Sequence, residues 1–331
     1  MDADYCTLKA ETAAFKLSAY SENTKKSYKS QLYAYIRFCL RFGLIAVPAS
    51  ESTLCDYSSF LARTLKSSSI PCYLNVIRIL HVEAGFENPL EKNWQLSMVK
   101  RGIARSKGSP PTQKLPISIP LLKDIHGLLD LSNSADLAFW LACLLAFYGL
   151  LRKSTLLPVN AAALVQNKYI CRSDVTELSL GSFVLIIRHT KSNQFGQRIL
   201  KLPFVACVNS ILCPVRQLLS HLGRNALQQE SPICNYLQGG REVTLTHKLF
   251  VDRLKHCIAL SGRNSSLYSG HSFRRGGASF CYMMGLSEVQ IKIRGDWVSN
   301  AYEKYVFVDQ CALYNTAKVL SAGAADLAAA L

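Results

Sequence analysis

Towards the end of the chain stand His271-Ser272-Phe273-Arg274-Arg275-Gly276-Gly277, then Gly295-Asp296-Trp297, then Tyr302-Glu303-Lys304-Tyr305. Guanidinium groups bind phosphate oxygens in pairs and keep their charge at any relevant pH, and imidazole and indole N–H groups donate to the same oxygens. A tyrosine beside such a group is a candidate covalent nucleophile. These residue types, crowded into one basic segment, point to phosphate chemistry.

The rest of the composition fits a phosphate-bearing polymer as partner. Lys plus Arg is 38 against 22 Asp plus Glu, a formal charge of +16. That balance favours a polyanion, nucleic acid first, the alternative being a basic surface kept only for solubility. With 331 residues, 49% of them apolar, the chain is long enough for two domains with folded cores. Its longest apolar run, 137–151, falls short of the roughly 20 residues that cross a bilayer, so it reads as a buried helix and no membrane partner is expected. Met1-Asp2-Ala3-Asp4 carries acid where a secretory signal carries base, so the expected location is intracellular, the nucleus in a eukaryote and the cytoplasm otherwise. The twelve cysteines are scattered, none in C-x-x-C spacing, and read as reduced thiols with no metal bound.

The elements that must position the cluster are mostly helices. Tyr28, Leu32, Tyr35, Ile36 and Cys39 recur at helical spacing over 23–42, with Asn23 or Thr24 as N-cap and Gly43 as stop, and Lys25, Lys26 and Lys29 lie at the start of this helix, whose outer face is basic. Further helices are expected around 54–65 and 73–85, making the first hundred residues all-helical. From Lys92 to Lys123 there is no acidic residue, while Lys100, Arg101, Arg105, Lys107 and Lys114 gather around Gly108-Ser109-Pro110-Pro111. This is a linker by composition, suited to tracking a phosphate backbone, although a solvated surface is the plainer reading of any charge run. Beyond it, 120–131 and 135–151 read as helices, 183–188 and 198–202 as a β-hairpin carrying Lys191 near its turn, and 214–222, 246–261, 272–284, 287–294 and 299–307 as helices. The expected class is mainly α with a small β-sheet. Its divisions are a helical N-terminal DNA-binding domain, 1–103, a basic linker, 104–116, and a C-terminal domain, 117–331, ending in an apolar tail.

Four separated pieces, Leu150-Leu151-Arg152-Lys153-Ser154, Thr190-Lys191-Ser192, His271-x-x-Arg274, and Trp297 followed by Tyr305, stand in an order and at spacings that resemble the catalytic domain of the tyrosine recombinases, or phage integrases. Ser21 to Tyr28 looks like the start of that family's core-binding domain, so the resemblance covers nearly the whole chain. Within the family, Gly295-Asp296-Trp297 to Tyr305 looks most like recombinases of eukaryotic mobile elements of the Crypton and DIRS kind. The resemblance implies that Arg152 and Arg274 clamp the non-bridging oxygens of a scissile phosphate and that His271 and Trp297 complete the cradle. Lys191 would then protonate the leaving 5′ oxygen and Tyr305 attack phosphorus, with no metal, ATP or other cofactor. It also implies a C-shaped clamp on double-stranded DNA and a homotetramer on paired sites.

Each position has a plainer reading as well. Arg152 is alternatively a cap on the C-terminus of its helix. Lys191 is alternatively a solvated turn residue, with His189 the competing acid, which would need a raised pKa. Trp297 is alternatively core, Arg275 either a backbone-phosphate contact or structural, and Tyr302 a packing residue on the same helical face as Tyr305. One departure is plain: the family commonly carries an acid three positions after the first arginine, where this chain has Thr155. The expected function is site-specific recombination or integration of DNA. Its rivals are a domesticated DNA-binding protein with reduced catalysis and a relaxing enzyme of the type IB topoisomerase kind.

Overall fold

The structure, a computed structural model, describes residues 3–108, 113–161 and 168–307, together with 314, 317, 318 and 321. Two compact units divide the chain, Met1–Thr112 and Gln113–Leu331. The expected tail, 310–331, lies almost wholly outside the described residues.

The first unit is helical: α1 Ala3–Ser18, α2 Glu22–Phe42, α3 Glu51–Leu61, α4 Ile70–Glu83 and α5 Trp94–Lys107. The cap of α2 is Ser21, not Asn23 or Thr24; its hydroxyl accepts from the Thr24 amide at 3.3 Å, and Gly43 ends the helix at φ 65°. Tyr35, Phe38 and Cys39 project from α2 into a core with Leu54, Tyr57, Leu61, Leu74, Ile77 and Leu96, and the edges of the Tyr35 and Tyr57 rings meet at 5.1 Å between centroids. Two elements depart from the sequence reading. Residues 4–18 form α1 although every one of their side chains is exposed, so no buried stripe marks it. The basic segment 104–107 continues α5 instead of opening the linker.

The second unit is built around α7, Ser134–Tyr148, buried from Leu137 to Phe147 on every side, which is why its sequence is apolar without a period. Around it stand α6 Ile119–Gly127, the short α8 Lys153–Leu156, α9 Pro214–Arg224, α10 His247–Leu260, α11 His271–Met283 and α12 Glu288–Gly295. An antiparallel sheet runs in the order β1 Val175–Thr176, β2 Ser182–Ile187, β3 Leu200–Val205. In β2 the burial alternates as a half-buried strand must, and Phe183 opposite Phe204 stacks ring on ring at 4.7 Å. A second hairpin joins β4 Tyr236–Gln238 to β5 Arg241–Val243. These strands and β1 are two or three residues long, too short for alternation to register in the sequence. No helix among the described residues is long and apolar enough to cross a membrane.

Gly276 and Gly277 explain how α11 fits. A Cβ on Gly276 would lie 1.9 Å from the Ile117 carbonyl oxygen, and one on Gly277 would lie 2.1 Å from that of Phe147. The glycines thus bring α11 against the end of α7 and the strand of chain before α6. Because backbone cannot step aside as a side chain does, Gly277→Ala should cost about 1–3 kcal/mol, read as a lower urea midpoint with an unchanged m-value.

Candidate active site

The residues of the motif cluster are placed by three helix ends. α7 stops at Gly149, and Leu150 turns the chain through φ 49°, so Arg152 is carried out as the residue before α8. It does not cap α7. His271 opens α11 and Arg274 follows one turn later on the same face. A Cβ on Gly270 would meet Lys153 Cδ at 2.7 Å, so the starts of α8 and α11 lie side by side. α12 ends at Asp296, in the left-handed conformation at φ 53°, and the chain then lays the Trp297 ring against Gly295, where a Cβ would fall 1.8 Å from it.

Arg274 is the centre of this arrangement. The residue is 2% exposed; Nη1 donates to the Leu150 carbonyl and Nη2 to that of Gly295 at 2.6 Å. The Trp297 ring covers it at 3.7 Å and the Tyr305 ring stands at 5.2 Å. Burial and the charge of Arg152 push its pKa down, opposed by Tyr305 and Asp296, but a guanidinium starts so high that it stays protonated at neutral pH. Arg274 Nε and Trp297 Nε1 are both buried donors without a partner among the described residues.

The two tyrosines are told apart by their setting. Residues Asn300–Lys304 form a 3₁₀ turn, not the expected α-helix, and Tyr305 follows as its C-cap. Tyr302 is 5% exposed in a core cluster with Leu150, Ala278, Ile291 and Trp297, and burial with a Glu288 hydrogen bond pushes its hydroxyl up to about 12. Tyr305 is half-buried, its ring 5.2 Å from that of Trp297.

Lys191 is exposed at the tip of the β2–β3 hairpin. His271 also reaches the surface, and partial burial followed by Lys153, Arg152, Arg274 and Lys191 lowers its pKa, so the ring is neutral at pH 7. Arg152, Lys191 and Arg274 are thus near enough to one imidazole to act on it through their charge. His189, the competing acid, sits on the hairpin arm lining a small cavity with Arg188 and the buried Thr155 and Asp174. Thr155 does not replace the missing acid: the Arg152 guanidinium makes no hydrogen bond among the described residues.

The other basic candidates divide. Lys26, Lys29, Arg101 and Arg105 are exposed. Lys25 is paired with Glu22 at 2.7 Å, and Lys107 donates to the Ala62 carbonyl at 2.8 Å. Arg275 is 8% exposed and donates to the Lys114 carbonyl beneath the Phe307 ring, the setting expected of its structural reading. Unforeseen in the sequence is Asp296, whose carboxylate takes Arg198 Nη2 and the hydroxyls of Thr190 and Ser192. A lone acid between the glycine and the tryptophan was the only signal.

No protein-family model matches the chain. Among curated proteins it is 27% identical, over 280 residues, to an integrase/recombinase xerD homolog of Selenomonas ruminantium, covering 82% of this chain and 77% of that one. Among solved structures, the Tn1549 transposon integrase bound to transposon right end DNA superposes with a TM-score of 0.60 at 13% identity, covering 96% of this chain and 99% of that one. A lambda integrase dimer on a core site gives 0.57 at 13% identity over 91% and 94%, and the XerH site-specific recombinase in its post-cleavage complex gives 0.54 at 14% identity over 89% and 79%.

Since Arg274 ties the ends of α7 and α12 together, its removal should be felt in folding as well as in chemistry. Lysine reaches one carbonyl at most and cannot lie flat under the indole. Arg274→Lys should therefore lose about 1.5–3 kcal/mol of stability, the range for one charged hydrogen bond, seen as a lower midpoint in chemical denaturation.

Proposed function

We propose, from the chain's membership of the tyrosine recombinases, that it cuts and rejoins DNA at specific sites through a 3′-phosphotyrosyl intermediate, without metal or ATP. The observation that carries the reading is the contact of Arg274, Trp297 and Tyr305, in which Arg274 Nε and Trp297 Nε1 are buried donors with no acceptor among the described residues. A buried unpaired donor costs about 1–3 kcal/mol, and a phosphate oxygen would satisfy both. The integrase and XerH neighbours bind DNA in the complexes named above, and the charge of +16 suits the same partner here.

In this reading Arg152 and Arg274 hold the non-bridging oxygens, with His271 and Trp297 as further donors. The Tyr305 oxygen loses its proton and forms a bond to phosphorus while the bond to the 5′ oxygen breaks. That oxygen leaves with a proton from Lys191. Negative charge grows on the equatorial oxygens during this step, so donors already fixed there lower the barrier by about 3–4 kcal/mol each. The ester keeps the energy of the broken bond, and a second 5′ hydroxyl can reverse the reaction on a new strand. The protein would act as a homotetramer on paired sites. One observation favours the rival of a DNA-binding protein with reduced catalysis: Arg152 lacks the acid that would orient it, Thr155 standing in its place.

A nicked suicide duplex separates the two. The unmutated protein and Tyr302→Phe should both form a covalent protein–DNA adduct on a denaturing gel, and Tyr305→Phe none. A nucleotide mapped to Tyr302 would reassign the nucleophile, and no adduct from the unmutated protein would favour the rival.

Binding itself should depend steeply on salt, with each neutralised phosphate adding about −0.9 to the slope of log K against log salt. Replacing Lys26, Lys29, Arg101 and Arg105 together by glutamine should flatten that slope. Replacing Lys25 and Lys107, which already have partners within the protein, should change it less.

A further inference from the structure

The β2–β3 ladder ends at Ile187 and resumes at Leu200, so the hairpin tip that carries Lys191 extends beyond its sheet. Two devices hold the tip. Asn193 Nδ2 donates to the carbonyls of Arg188 and Arg198, at 2.7 Å each, and closes its two arms against each other. Asp296 fastens the tip to another part of the fold. Its Oδ2 accepts from Thr190 Oγ1, and from Ser192 Oγ at 2.6 Å; its carbonyl accepts from Ser192 Oγ at 3.0 Å; its Oδ1 pairs with Arg198 Nη2. Thr190 and Ser192 are the residues on either side of Lys191.

We propose that Asp296 is a positioning residue that latches the Lys191 hairpin to the phosphate cradle. The inference rests on the reading of Lys191 as the acid for the leaving oxygen. Asp296 is 7% exposed and lies between Gly295, whose carbonyl accepts from Arg274, and Trp297, whose ring covers Arg274. One residue therefore joins the acid's loop to the group that holds phosphorus in place, and its left-handed backbone turns the carboxylate to the hairpin while the next residue turns its indole to the arginine. The need for such a latch follows from the chemistry. A proton donor works only within hydrogen-bond reach of the atom it serves, and an exposed lysine on a tip free of its sheet has many other positions available. The carboxylate binds the hydroxyls of the residues on either side of Lys191, and the ammonium itself makes no hydrogen bond or ion pair among the described residues, which leaves it free to deliver a proton.

The test uses cleavage of a suicide duplex with an oxygen or a sulfur at the 5′-bridging position, since a thiolate leaves without needing a proton. Asparagine tolerates the left-handed backbone, so Asp296→Asn keeps the turn and loses the charge; Thr190→Val with Ser192→Ala breaks the latch from the hairpin side and leaves the Trp297 segment untouched. Both should cut the oxygen substrate on the order of 100-fold more slowly, the cost of a misplaced catalytic group. Both should regain most of that rate on the sulfur substrate, as Lys191→Ala does, with duplex affinity nearly unchanged. If Lys191→Ala is rescued by sulfur but the latch variants are not, Asp296 acts on the cradle and the proposal is overturned. Failure of Lys191→Ala to be rescued would remove Lys191 as the acid, and with it the latch. Should Asp296→Asn not fold, the double hydroxyl variant decides alone.

Discussion

A buried guanidinium must be surrounded by acceptors, and Arg274 imposes that demand on the whole second unit. Moving such a charge out of water is costly unless its donors are met. Here the acceptors are two backbone carbonyls freed by helix ends, Leu150 just beyond α7 and Gly295 at the close of α12. Carbonyls at helix C-termini lack intrahelical partners and carry the negative end of the helix dipole, so both ends suit a cation. The faces of Trp297 and Tyr305 add the attraction of their ring quadrupoles. For one side chain of α11 to reach both carbonyls, α11 must lie hard against the end of α7, which is the approach that Gly276 and Gly277 permit. The left-handed turn at Leu150 that frees its carbonyl also delivers Arg152.

How much of this the sequence carries depends on the range of the interactions. The long helices were legible because their apolar periods are local; α2 and α10 lie within a few residues of the expected bounds. α1 was not, because a helix exposed on all sides has no stripe to read. The cap at Ser21 was missed because Ser21, Asn23 and Thr24 are all good N-caps and only the fold selects among them. At the site, His271, Arg274, Trp297 and Tyr305 were legible as a motif, and the structure brings Arg274, Trp297 and Tyr305 into contact. Asp296 was not, since its partners Thr190, Ser192 and Arg198 stand about a hundred residues away and nothing in the local sequence names them.

The burial of Tyr302 illustrates a difference that spacing alone cannot make. Tyr302 lies within the 3₁₀ turn and Tyr305 caps it three residues later, and the rings of both meet that of Trp297. They are sorted by depth instead. Tyr302 fills the cluster beneath Trp297, where its raised pKa keeps it a phenol, and so becomes the floor on which the Trp297–Tyr305 pair rests. One tyrosine anchors the turn so that the other is held over the cradle.

The charges of the site are those that a phosphate would complete under the proposed function. Burial, and after it the charges of Lys153, Arg152, Arg274 and Lys191, lower the pKa of His271 and favour the neutral imidazole. A neutral ring donates a hydrogen bond to an oxygen without adding a further charge to repel its neighbours. Mutual repulsion among the cations is a standing cost in the free protein, and under the proposed function it would fall when a phosphodiester enters with its negative charge. It would fall further as charge grows on the equatorial oxygens during attack, so the same repulsion would favour the transition state over the bound ground state. In such a site the orientation of each cation decides how much of that difference is realised. Arg274 is fixed by two carbonyls and Lys191 by the latch on its neighbours, whereas Arg152 has no such anchor among the described residues, which makes it the weakest point of the cradle.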